Sequence, residues 1–140
     1  LKSVPRSLDK LCRDGRRALP IGIAQVGHDR PLARIGNAID AVASKRGYTL
    51  IRNLASHGVG KALHEAPEDI PTWPTKGDGR RMHDGLVLTV EPFLSRGGRG
   101  ATSANEDDWT LCSTPAAPVV LYEHTVVATR RGAIVATLPG

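Results

Sequence analysis

Leu86-Val-Leu-Thr-Val-Glu-Pro92 is a run of strand-forming residues that ends on a carboxylate and a proline. Its aliphatic and β-branched side chains predict a strand over 86–90. A second such run, Val119-Val-Leu-Tyr-Glu-His-Thr-Val-Val-Ala-Thr129, predicts a strand over 119–129 and again carries a carboxylate, Glu123, where the pattern wants an apolar side chain. An ionised carboxylate held away from water is costly unless it is paired, hydrogen-bonded or bound to a metal. A strand-end position or an arginine partner would satisfy either glutamate alone. Two of them on neighbouring strands repel each other unless a cation lies between, so the pair points to a shared site.

Outward from these strands the pattern changes period. Leu32, Ile35, Ile39 and Val42 recur at helical spacing, with Pro31 near the start and Gly47 just past the end, predicting an amphipathic helix over 31–46. Leu8, Leu11, Cys12 and Ala18 predict an earlier helix over 7–19, weakened by Gly15, with a loop over 20–30 joining the two. Residues 48–54 read as a strand, 67–84 as a long exposed loop rich in proline, 96–108 as a polar hairpin loop, and 133–137 as a last short strand after the Arg131-Gly132 turn. Two helices followed by mostly antiparallel strands predict an α+β fold, a sheet packed on helices.

At 140 residues, 40% of them apolar and 24% charged, the chain has the composition of one folded domain. It contains no run of some twenty apolar residues and no signal-like start. Cys12 and Cys112 have no paired spacing, so neither a disulfide framework nor a cysteine zinc site is expected, and a reduced cytoplasmic setting fits best. The net charge of +5, with clusters at Arg16-Arg17, Arg80-Arg81 and Arg130-Arg131, reads first as solvated surface. With only 4% aromatic residues to stack on bases, specific nucleic-acid recognition is not expected.

Two histidines join the glutamates. His57 stands in Ser56-His57-Gly58-Val59-Gly60, where glycines let the backbone turn sharply, and His64 follows seven residues on in His64-Glu65-Ala66-Pro67. His28 and His83 read as structural. An imidazole with several carboxylates and no thiolate suits Mn, Fe, Co or Zn in a hydrolytic site rather than a structural zinc.

Taken in order, His57-Gly-Val-Gly60, His64-Glu-Ala-Pro67, Leu88-Thr-Val-Glu91-Pro92, Asp108-Trp-Thr110 and Tyr122-Glu-His-Thr125 resemble the signature blocks of type I methionine aminopeptidases, from about residue 8 to the end. The resemblance implies the C-terminal half of the pita-bread fold, a curved antiparallel sheet packed with helices, so that residues 1–140 form a single partial catalytic domain without its N-terminal half. It implies a metallo-aminopeptidase that removes the N-terminal methionine of new proteins by attack of a metal-activated hydroxide. His57, Glu91 and Glu123 become metal ligands, Glu123 bridging two ions. Glu91 also relays a proton, and His64 both binds the scissile peptide and acts in catalysis. Leu63 and Trp109 line the pocket for the methionine side chain. The implied partners are methionyl peptides and nascent chains, with room for ribosome contact through the basic surface and for self-association through exposed sheet.

Some features depart from the family pattern. Ser56 and Asp107-Asp108 stand where glycine-containing sequences are usual, and Val119-Val-Leu121 replaces a more polar stretch. Two aspartate ligands of the family belong upstream of the helix pair. Asp29 and Asp40 show the family's spacing, but one lies in a loop and the other within a helix, and the spacing reads as coincidence. The family's two metal ions therefore reduce to at most one here. The second reading is an inactive relic of the fold that binds nascent chains or ribosomes.

Overall fold

The computed structural model describes residues 5–104 and 109–138. The Asp107-Asp108 pair lies outside them. Two helices, α1 Arg6–Ile23 and α2 Ala33–Lys45, precede ten short strands: β1 Thr49–Leu50, β2 Ser56–Gly58, β3 Glu65–Ile70, β4 Val87–Val90, β5 Phe93–Ser95, β6 Gly100–Ser103, β7 Leu111–Thr114, β8 Val119–Leu121, β9 His124–Thr129 and β10 Gly132–Val135. The strands form a five-stranded sheet in the order β10-β9-β4-β2-β3, a three-stranded sheet in the order β1-β5-β8, and the ribbon β6-β7. All pairings among the described residues are antiparallel. The expected α+β arrangement is the one found.

α2 forms where its apolar stripe predicts, burying Ile35, Ile39 and Ala43, and Gly47 leaves it with φ 76°, a left-handed turn that glycine adopts without strain. α1 runs four residues beyond the expected end and passes through Pro20. Proline in a helix interior forfeits a hydrogen bond and costs about 3 kcal/mol. The last turn nevertheless holds because Ala18, Leu19 and Gly22 are buried, and burying one leucine contributes roughly 1.5–3 kcal/mol. At Gly22 an added Cβ would lie 2.8 Å from the Ile39 side chain and 3.1 Å from that of Val90, so α1 seats closely on both α2 and the sheet.

Three further expectations are corrected. The run 119–129 is two strands in two sheets, broken at Tyr122-Glu123, because its partner β4-β5 is broken at Glu91-Pro92 and proline cannot donate to a ladder. The strand expected over 48–54 is regular at Thr49 and Leu50, with a further backbone hydrogen bond from Ile51 to Phe93. The segment 67–84 is not wholly exposed: β3 occupies its start, and Ile70, Thr72 and Met82 are buried.

The two breaks are aligned. Val90 pairs with His124 on one side and Phe93 with Leu121 on the other, in one uninterrupted register. Glu91 therefore stands opposite Glu123 where the chain passes from one sheet to the other.

Candidate metal centre

Strand alternation sets which side chains reach this junction. Val90 and Leu88 point into the core under the helices, so Thr89 and Glu91 occupy the other face of β4. β2 lies beside β4, and its Ser56 and Gly58 are buried while His57 is only partly so. His57 thus shares the face of Thr89 and Glu91.

Gly58 keeps the β2-β3 hairpin tight, since a Cβ there would lie 2.3 Å from the carbonyl oxygen of Ala66. The loop that follows is folded by Glu65, whose Oε1 accepts from the Ala62 amide at 2.7 Å. This return brings the His64 ring to 4.1 Å from the His57 ring, centroid to centroid, tilted by 46°. The two imidazoles line one polar cavity of about 340 Å³ with Asn53, Leu54, Ala55, Glu68 and Asp69. A larger cavity of about 430 Å³ lies elsewhere, between α1 and β9-β10, and its mostly apolar lining offers no matching chemistry.

Glu91 is 9% exposed. Burial pushes its carboxyl above the usual carboxylate range, and the negative charge of Glu123 adds to that. A hydrogen bond from Thr89 and the proximity of His57 oppose the shift. Thr89 Oγ1 donates to Glu91 Oε1 at 2.7 Å, and the Glu91 amide donates to Ser56 Oγ at 3.0 Å. His57 Nδ1 is 2.8 Å from the Gly58 carbonyl oxygen, which can only accept, so Nδ1 carries a proton and Nε2 is the nitrogen turned toward Glu91. Nε2 lies 3.4 Å from Glu91 Oε1. A proton or a cation between nitrogen and oxygen suits that separation. The spacing also suits donors each roughly 2.1 Å from a common ion at a near-tetrahedral angle.

An imidazole nitrogen and a carboxylate oxygen are donors of the kind a divalent ion takes, and this pair supplies two of them. Glu123 does not close the group: among the described residues no three His, Cys, Asp or Glu side chains are near enough to hold an ion together. Glu123 faces Glu91 in register, is exposed, and repels it as a like charge. His57 and Glu91 thus come together, His64 lies beside His57 at a polar cavity that Glu91 does not line, and Glu123 does not join them in one ligating group.

Leu63 and Trp109 lie on the surface, 72% and 88% exposed, and neither lines the His57 cavity. Asp29 is ion-paired to Arg81 at 2.7 Å, and Asp40 accepts from Ser44 on α2 at 3.5 Å; neither lines that cavity. Two participants escaped the sequence reading, the hydroxyls of Thr89 and Ser56. In a strand, threonine is an ordinary residue, and only the register shows what its hydroxyl meets.

Residues 3–130 match the model of metallopeptidase family M24. The chain is 33% identical over 130 residues to methionine aminopeptidase 2 of Bacillus subtilis (strain 168), covering 93% of this chain and 52% of that protein. It is 32% identical over 136 residues to methionine aminopeptidase B of Synechocystis sp. (strain ATCC 27184 / PCC 6803 / Kazusa), covering 97% and 49%. The chain spans about half the length of the curated relatives it matches. The crystal structure of methionine aminopeptidase from Rickettsia prowazekii superposes with a TM-score of 0.90 at 29% identity, over 97% of this chain and 54% of that one. The prolidase of Pyrococcus horikoshii OT3, at 17% identity and a TM-score of 0.71 over 100% and 34%, shares the fold alone. The fold is the expected pita-bread type.

Proposed function

The chain belongs to metallopeptidase family M24, and from that premise we propose that it is a metallo-aminopeptidase acting on peptides with an N-terminal methionine. One observation carries the reading: a buried carboxylate, Glu91, faces both Nε2 of His57 and a second carboxylate in register. That arrangement calls for positive charge at its centre. His57 Nε2 and Glu91 Oε1 would hold a divalent ion of the Mn, Fe, Co or Zn kind, and attraction to the ion would offset the repulsion between Glu91 and Glu123. Held there, such an ion supplies Lewis acidity toward the scissile carbonyl and the attacking water.

The chain's own residues do the rest. Glu91, whose Oε1 lies 3.4 Å from His57 Nε2, carries a proton from the attacking water toward the leaving amine. His64, which lines the polar cavity beside His57, donates to the peptide carbonyl as negative charge develops on it.

With one histidine and two carboxylates available, we expect at most one ion per chain. Isothermal titration with Mn²⁺ checks this, alongside release of methionine from a Met-Ala-Ser peptide. His57→Ala should weaken metal binding about tenfold or more, because it removes a direct ligand. Glu91→Gln should abolish methionine release by removing both a ligand and the proton carrier. A chain that takes up no Mn²⁺, Fe²⁺, Co²⁺ or Zn²⁺ and releases no methionine would refute the reading.

A further inference from the structure

We propose that Thr89 is a positioning residue whose hydroxyl joins His57 and Glu91 into one preset pair for a divalent ion, an inference that rests on the metallo-aminopeptidase reading above. Thr89 is buried in β4, on the same face as Glu91 and beside β2. Its Oγ1 accepts the His57 amide proton at 3.1 Å and donates its own to Glu91 Oε1 at 2.7 Å. The His57 carbonyl oxygen, 3.4 Å from the same Oγ1, competes for that single proton at longer range, and the carboxylate is the stronger acceptor.

The polarity of the chain matters. A hydroxyl has one proton to give and two lone pairs. The backbone amide of His57 occupies a lone pair and the carboxylate takes the proton, so each bond strengthens the other. The Glu91 oxygen fixed in this way is the one that lies 3.4 Å from Nε2 of His57. The contacts close a ring, from the His57 backbone through Thr89 to Glu91 and back to the His57 imidazole. Ser56 Oγ anchors the backbone end of Glu91 by accepting its amide. The rotamer freedom of the glutamate, which ion binding would otherwise have to remove, is already restrained.

Valine has the shape of threonine without the hydroxyl, and serine keeps the hydroxyl without the methyl. The full 140-residue chain is compared as wild type, Thr89→Val and Thr89→Ser, with Thr89→Ala replacing the valine form if that form does not fold by circular dichroism. Two measurements are made: Mn²⁺ affinity by titration calorimetry, and hydrogen exchange of the His57 amide by NMR without metal. Thr89→Val should bind Mn²⁺ about ten- to a hundredfold more weakly, and Thr89→Ser within about threefold of wild type. The His57 amide should exchange about tenfold faster or more in the valine form and keep its protection in the serine form.

Equal Mn²⁺ affinity in wild type and Thr89→Val would overturn the proposal and leave the metal reading standing. A serine form as weak as the valine form would overturn the hydroxyl as the cause. A wild type that binds no Mn²⁺ would overturn the preset ion pair together with the metal reading, and the exchange measurement would then show whether the hydroxyl tie itself exists.

Discussion

Among the described residues outside the candidate metal centre, Asp14 is a buried carboxylate with three side-chain partners. It is 2% exposed, yet it accepts from Lys10 at 2.8 Å, Arg46 at 2.6 Å and Tyr48 at 2.9 Å, binding α1 to the end of α2 and to the start of β1. Burial alone would raise its carboxyl. The Lys10 and Tyr48 hydrogen bonds and the Arg46 charge outweigh that and hold it below the usual carboxylate range. Its contribution is therefore fully present above the unfolded carboxylate value and is lost as pH falls through the lowered one. Lys10 and Arg46 stay partly in water after the carboxylate is removed, which keeps the penalty below that of stranding a buried charge. Asp14→Asn should destabilise the chain by about 1–3 kcal/mol at neutral pH. The difference from wild type should shrink in acid, and urea unfolding at pH 7 and pH 3 measures both effects.

At the level of elements, the β2-β3 hairpin decides whether the two histidines meet. A methyl group at Gly58 would press on the backbone of Glu65 and Ala66, which cannot rotate aside as a side chain would. Gly58→Ala should cost about 1–3 kcal/mol and separate His64 from His57, read as a lower melting midpoint and altered NMR shifts of both rings. This is also where the limits of sequence reading show. The period of Leu32, Ile35 and Ile39 disclosed α2, and a charge inside an apolar run disclosed Glu91 and Glu123. Pro20 hid the end of α1, because local propensity argues for a stop and only packing on Ile39 and Val90 overrides it. The break within 119–129 was hidden too, since Tyr122-Glu123 carries no turn residue and its cause lies in the partner strand, at Pro92. Asp14 was legible in principle: it falls on the stripe of Leu11, Gly15 and Ala18, where a carboxylate is as conspicuous as in a strand.

Across the whole molecule the apolar surface is unevenly distributed. Leu63, Trp109, Ile134 and Leu138 are each more than half exposed, and the cavity of about 430 Å³ between α1 and β9-β10 opens among Leu19, Ile23 and Val135. A hydrophobic dye such as ANS should brighten on the folded chain at neutral pH, and filling that cavity with Ile23→Trp should reduce the signal without loss of helical circular dichroism. The aligned breaks have a different kind of consequence. The facing of Glu91 and Glu123 is fixed by the ladders on either side of the junction, and the thirty-one residues that separate them along the chain play no part in it. The ribbon β6-β7 can therefore lengthen, shorten or accept a foreign loop over evolutionary time while the two carboxylates stay face to face. A single residue inserted between Val90 and Phe93 would instead turn one carboxylate away from the other. Variation is thus closed at the junction end of this hairpin, and a library of insertions would find no tolerant position between Val90 and Phe93.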